Sequence, residues 1–119
     1  MTQEKYIYKI LPAPIATHDP THNVSWLEID KSDGFLHFST RAQLAKTLQK
    51  KFAHTNTVML LEVLLADIPS AVATHLKWEK NNPAGDTYPH LYTNLPMTWV
   101  RHTYKLTRQP DGTFHVPDL

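Results

Sequence analysis

The chain has 119 residues and a mass of 13.7 kDa, with 41% hydrophobic and 19% charged residues, the profile of one globular domain rather than a disordered segment. Twelve Lys and Arg against eleven Asp and Glu leave a formal net charge of +1, without the concentrated basic surplus of a dedicated DNA- or RNA-binding domain. With no cysteine there is no disulfide framework, thiolate zinc site, iron–sulfur cluster or catalytic thiol.

No apolar run approaches the roughly 20 residues of a membrane span. The longest, Val58 to Leu65, has strand length and is interrupted by Glu62. The polar start, Met1 to Lys5, precedes no secretory apolar segment, so the expectation is a cytoplasmic protein with no membrane partner. Eight histidines are an unusual number, and imidazole is the side chain whose ordinary charge change lies nearest neutral pH.

Tyr6 to Ile10 reads as a short strand of aromatic and β-branched residues, ended by Pro12 and Pro14. Three prolines and two histidines make the stretch from Pro12 to Asn23 a loop. Ser25 to Asp30 is expected to form a helical turn with Trp26 and Ile29 facing inward. The Asp33-Gly34 turn leads into a second short strand, Phe35 to Phe38. The main helix, about residues 40–53, opens on a capping box, Thr40 with Gln43. Leu44, Leu48 and Phe52 form its apolar stripe, and Lys50 and Lys51 complement its dipole.

Val58 to Leu65 then reads as a strand buried on both faces, followed by a short helix around Pro69 and an alternating strand from His75 to Glu79. Asn81 to Asp86 is a loop, and Tyr88 to Tyr92 is an aromatic segment kinked by Pro89. Trp99 to Leu106 alternates again, and Pro110-Asp111-Gly112 is expected to fold Thr113 to Val116 back as a hairpin. Short, mostly antiparallel strands with one main helix make the fold class α+β.

Four sets of residues carry chemistry. Strand alternation puts Leu36 and Phe38 in the core and turns His37 toward a cleft or solvent. Ser39 and Thr40 lie where strand becomes helix, a place that either offers amide donors to a phosphate or ribose or merely caps the helix. Glu62, inside an apolar strand, either orients a histidine or arginine or reaches water at a sheet edge. Trp78, Glu79, Tyr88, His90 and Tyr92 flank the 81–86 loop, where a carboxylate, a histidine and aromatics suit a pocket for a flat ring, or plug the end of a sheet. His18 and His22 are four apart but separated by Pro20, and no local spacing suggests a metal site. Glycine-rich phosphate loops and nucleophile elbows are absent.

The ordered blocks Ile7 to Ile10, Asp33 to Thr40, Leu60 to Val63, Leu76 to Glu79 and Tyr88 to Tyr92 resemble the domain-of-unknown-function family numbered 952. The likeness covers residues about 6–100 of a single domain, 1–119, with a C-terminal β-hairpin extension at about 101–119. That family is grouped with the ADP-ribosyltransferase-like fold, and Leu36-His37-Phe38-Ser39 is similar to a segment of the tRNA 2′-phosphotransferases. The resemblance implies a split β-sandwich with nicotinamide adenine dinucleotide (NAD) in the cleft between two small antiparallel sheets. Lys9 stands near the position of that fold's first-strand histidine, and its phosphate-binding arginines have no counterparts here.

What the resemblance implies is a nucleotide-like ligand, NAD as substrate, no resident metal, and ADP-ribosyl- or phosphotransferase-type chemistry. His37, Glu79 and His90 would then be catalytic, Glu79 stabilising a ribosyl cation and His90 acting as base. Ser39, Thr40, Trp78, Tyr88 and Tyr92 would bind the ligand. A non-enzymatic ligand- or protein-binding module is the alternative, and a metal-dependent hydrolase using His37, His90 and Glu79 a third. Convergence of His37, Glu79 and His90 on one cleft distinguishes chemistry from a module.

Overall fold

Along the first strand Ile7, Lys9 and Leu11 alternate with Tyr8 and Ile10, so both of its faces must be covered. The computed structural model describes residues 5–80 and 85–117. Among these, six strands run in chain order: β1 (Tyr6–Pro12), β2 (Leu36–His37), β3 (Thr57–Leu64), β4 (Leu76–Lys80), β5 (Thr87–Leu91) and β6 (Val100–Thr107). Three short helices, α1 (Glu28–Asp33), α2 (Leu44–Lys51) and α3 (Ser70–Ala73), connect them.

The strands form two three-stranded antiparallel sheets, ordered β1-β3-β6 and β2-β5-β4. Ile7, Leu11, Leu61 and Val63 of the first sheet pack with Leu36, Phe38 and Leu91 of the second. On its other face the first sheet buries Tyr8, Ile10, Val58, Leu60 and Leu106 against Leu44 and Leu48 of α2. The layers are therefore helix, sheet, sheet. The α+β expectation holds, with two small antiparallel sheets. Reciprocal backbone bonds between Tyr8 and Ser39, at 2.8 and 2.9 Å, join the sheets along one edge.

Pro89 in the central strand of the second sheet explains why β2 is so short. Its carbonyl accepts from Phe38 N at 3.0 Å, so its nitrogen faces the same side and has no hydrogen to return. The β2 ladder stops at His37, while the β4 ladder on the other side of β5 is complete.

Several local expectations are corrected. The first helix starts later, at Glu28, and turns the other way: Ile29 is 52% exposed and Asp30 is fully buried. The reason is Lys9, whose Nζ reaches Asp30 Oδ2 at 2.7 Å in the layer between the sheets. Gly34 closes the helix at φ 87°, a conformation that favours glycine, and its N–H bonds to Asp30 O at 2.8 Å. Trp26 keeps its place against the core and donates to Asn94 Oδ1 at 2.8 Å.

The main helix is α2 proper, Leu44–Lys51, preceded by a 3-10 turn over Arg41–Gln43. β4 begins and ends one residue later than expected. The C-terminal segment folds back as expected, through an Arg108–Phe114 bridge and a bond from Gln109 N to Thr113 O of 2.7 Å, but β6 before it is the edge of the first sheet. Arg108 fixes that return by donating to Phe52, Thr55 and Gly112 carbonyls. Positions 81–84 of the expected Asn81–Asp86 loop lie outside the described residues. Among the described residues no helix is long and apolar enough to cross a membrane.

Removing one partner of a buried ion pair strands the other charge. Lys9→Ala is therefore expected to lower the free energy of unfolding by about 3–5 kcal/mol. Ile29→Ala, at an exposed helix position, should change it by no more than about 0.5 kcal/mol. Urea unfolding of the two variants checks the contrast, and equal effects would contradict the burial of the Lys9–Asp30 pair.

Candidate functional site

Alternation in the second sheet sends Leu36, Leu91 and Leu76 toward the core and His37, His90, Lys77 and Glu79 to the outer face. His37 and His90 are directly opposite across β2 and β5, with ring centroids 5.3 Å apart and edge-on at 63°. Phe35, just past the Gly34 turn, stacks on His90 at 4.2 Å and 26° and touches His37 and Tyr92 at 4.5 and 4.9 Å. Beside this cluster lies a shallow depression of about 280 Å³ lined by Asp33, Phe35, Glu79, Lys80, His90 and Tyr92.

Two carboxylate–histidine pairs define its chemistry. In the first, Asp30 is a hub: Oδ2 accepts from Lys9 Nζ and from Leu27 N, both at 2.7 Å. Oδ1 accepts from His37 N at 3.1 Å and lies 2.7 Å from His37 Nδ1. The other ring nitrogen, Nε2, is 2.9 Å from Asp33 Oδ2. A carboxylate only accepts, so both ring contacts are hydrogen bonds when both nitrogens carry hydrogens. Burial pushes the Asp30 carboxyl up, but the His37 bond and the Lys9 ammonium together outweigh it and hold it below the usual range. Burial draws Lys9 down, against the pull of Asp30.

In the second pair, Glu79 Oε1 lies 2.9 Å from His90 Nδ1 and accepts from the Tyr92 hydroxyl at 2.7 Å. The Tyr92 and His90 hydrogen bonds hold the Glu79 carboxyl below its ordinary range, so it is ionised at neutral pH. The same bond to Glu79, followed by burial, raises Tyr92. His90 is 3% exposed, and burial pushes it below the usual imidazole range despite its bond to Glu79. A neutral ring donating from Nδ1 leaves a lone pair on Nε2. That atom is buried with no hydrogen-bond partner.

The family described as "Protein of unknown function (DUF952)" matches residues 14–103. The chain belongs to this family. No curated protein matches it. The chain is similar to protein CC0527 from Caulobacter crescentus: the crystal structure shares 29% identity, covering 92% of this chain and 93% of that one, with a TM-score of 0.74. The solution NMR structure of CC0527 gives 30% identity, 91% and 90% coverage, and a TM-score of 0.72. The DUF952 match reaches into β6, in keeping with that strand's place in the first sheet.

In this DUF952 chain, His37, Glu79, His90 and Tyr92 come together on one face, and Tyr88 is the cross-strand neighbour of Glu79. Ser39, Thr40 and Trp78 do not join them. Ser39 is buried, its hydroxyl 2.9 Å from that of Thr47, and its backbone is occupied by the Tyr8 bridge. Thr40 serves the helix start, its N–H donating to Gln43 Oε1 at 3.0 Å. Trp78 is exposed and alternates to the face opposite Glu79. Glu62 neither bonds to a histidine or arginine among the described residues nor lies at a sheet edge; it is in the central strand β3 and accepts from the Tyr8 hydroxyl at 3.0 Å. Burial, then that bond, raises Tyr8.

Among the described residues no group of three or more His, Asp or Glu side chains is placed to hold a metal ion. A larger depression, about 560 Å³, is lined by residues 12–14 and 54–57 and gathers no comparable polar cluster. Sequence reasoning missed Asp30, Asp33 and the use of Lys9. One signal was present: a lysine in the middle of an apolar strand requires a buried anion.

Because His90 is neutral when folded, its contribution to stability is present above the unfolded imidazole value of about 6.5 and is lost as pH falls through its lower folded value. Urea unfolding between neutral pH and pH about 5 should show stability falling with acid, and His90→Gln should flatten that slope. An unchanged slope in the variant would show that His90 is not the group responsible.

Proposed function

We propose that the outer face of the β2–β5–β4 sheet binds a nucleotide-like ligand and that NAD is its substrate class, in a cytoplasmic protein of ADP-ribosyltransferase-like fold. The observation that carries this reading is the convergence of Glu79, His90, Tyr92 and His37 around Phe35. Two small antiparallel sheets packed face to face and joined along one edge support the fold part of the reading.

The reaction assigned to this site breaks the bond between the ribose anomeric carbon and the nicotinamide nitrogen, whose electron pair leaves with the nicotinamide. An acceptor hydroxyl then bonds to the anomeric carbon and gives up its proton. Glu79, ionised and partly exposed, supplies negative charge beside the developing ribosyl cation. His90 holds Glu79 in place through Nδ1, and its Nε2 lone pair is the proton acceptor. Tyr92 and Phe35 offer flat faces to the nicotinamide ring.

The second reading, a module that binds without catalysis, draws on the cover over His90. Its Nε2 is buried and Phe35 stacks on the ring, so the proposed base acts only once that nitrogen is uncovered. The depression of about 280 Å³ also falls below the usual 300–1,000 Å³ of small-molecule pockets.

A titration of NAD into the labelled protein, with ADP-ribose and adenosine monophosphate as controls, separates these readings. Amide shifts confined to residues around 33–37, 79–80 and 88–92, together with nicotinamide release, are the expected result. Glu79→Gln should retain binding and lose about a hundredfold or more in release. Binding without release points to the module. No shifts at millimolar NAD would remove the dinucleotide from consideration.

A further inference from the structure

We propose that Asp30 is the positioning residue of this site, holding the His37 ring with Nδ1 inward so that Nε2 is the atom presented to Asp33, which lines the ligand depression. This rests on reading the outer face of the second sheet as a ligand site.

Four contacts converge on the Asp30 carboxylate, and every partner is fixed. Lys9 Nζ and Leu27 N lie at 2.7 Å from Oδ2. His37 N and Nδ1 lie at 3.1 and 2.7 Å from Oδ1. One carboxylate oxygen thus grips both the backbone and the ring of the same histidine, which fixes where the ring starts and how it is turned. Which ring nitrogen carries the hydrogen is set by its partner, and the Asp30 side of the ring is Nδ1.

Lys9 makes this burial affordable. Asp30 is fully buried, and an unpaired carboxylate there would pick up a proton and turn from an acceptor into a donor. The Lys9 ammonium keeps it ionised and also donates to His37 O at 3.2 Å, holding the same residue a third time. The groups facing His37 are then Asp30 and Lys9 from below, Asp33 at Nε2, and Phe35 and His90 beside the ring. Of these, Asp33 is the exposed partner, and it lines the depression. A ligand that reaches Nε2 takes the place of Asp33 while Asp30 keeps the ring in register, as carboxylates behind metal- or substrate-facing histidines do.

Ring-nitrogen spectra of the full chain with labelled histidine test this without any ligand. Once the ring is neutral, the hydrogen of His37 should sit on Nδ1, and Asp33→Asn should leave it there. In Lys9→Met/Asp30→Ala, which removes both charges together, the hydrogen should move to Nε2 and NAD affinity should fall about tenfold or more. A wild-type ring with its hydrogen on Nε2 overturns the proposal, whether or not the double variant folds. So does a folded double variant that binds NAD within about twofold of wild type, for Asp30 would then be only a cap for α1. Failure of the wild type to bind NAD counts against the proposed ligand instead, and leaves the placement of His37 to be decided by the ring spectra.

Discussion

A lysine ammonium lies between two sheets of apolar side chains, and it can stay there only with a carboxylate beside it. The Lys9–Asp30 pair meets that condition at 2.7 Å with both groups almost wholly removed from solvent. Its consequences run outward in order. Asp30 must face inward, so α1 exposes Ile29. Its second oxygen accepts from His37 N at the end of β2, and the His37 ring is set on the outer face of the second sheet. A change at the pair therefore reaches the site through bonds, with no need for a general loosening of the fold.

The two histidines on that face stand in different electrostatic settings although they are direct cross-strand neighbours. His37 is partly exposed and lies between two carboxylates, one buried and one at the surface. His90 is buried beneath Phe35, has one carboxylate partner, and is pushed toward its neutral form. Neighbouring titratable groups in contrasting environments suit opposite roles in proton transfer. Pro89 contributes to this arrangement: by ending the β2 ladder it frees the chain after His37 to cross to the first sheet at Ser39.

Much of this was legible along the chain. The alternation of Leu36, His37 and Phe38 placed one histidine outside and two apolar residues inside. The stripe of Leu44 and Leu48 identified the face of α2 that packs on the first sheet. Glu79, His90 and Tyr92 were legible as a polar and aromatic group because they lie close together in sequence, on and just beyond two strands that pair antiparallel. Ser39 and Trp78 stand apart from that group, because backbone pairing commits Ser39 to the first sheet and alternation turns Trp78 to the face opposite Glu79.

Composition and periodicity determined the α+β class, the two-sided burial of β3, and the inward faces of β2 and of α2. These follow from which side of an element is apolar, a property of nearby residues. What lies opposite a buried polar atom is a different kind of fact. The partners of Lys9, Glu62 and His37 come from distant or oppositely turned segments: Asp30 for Lys9, Tyr8 for Glu62, and both Asp30 and Asp33 for His37. Only the tertiary structure decided those pairings, because a buried charge demands a partner without specifying from where in the chain it comes.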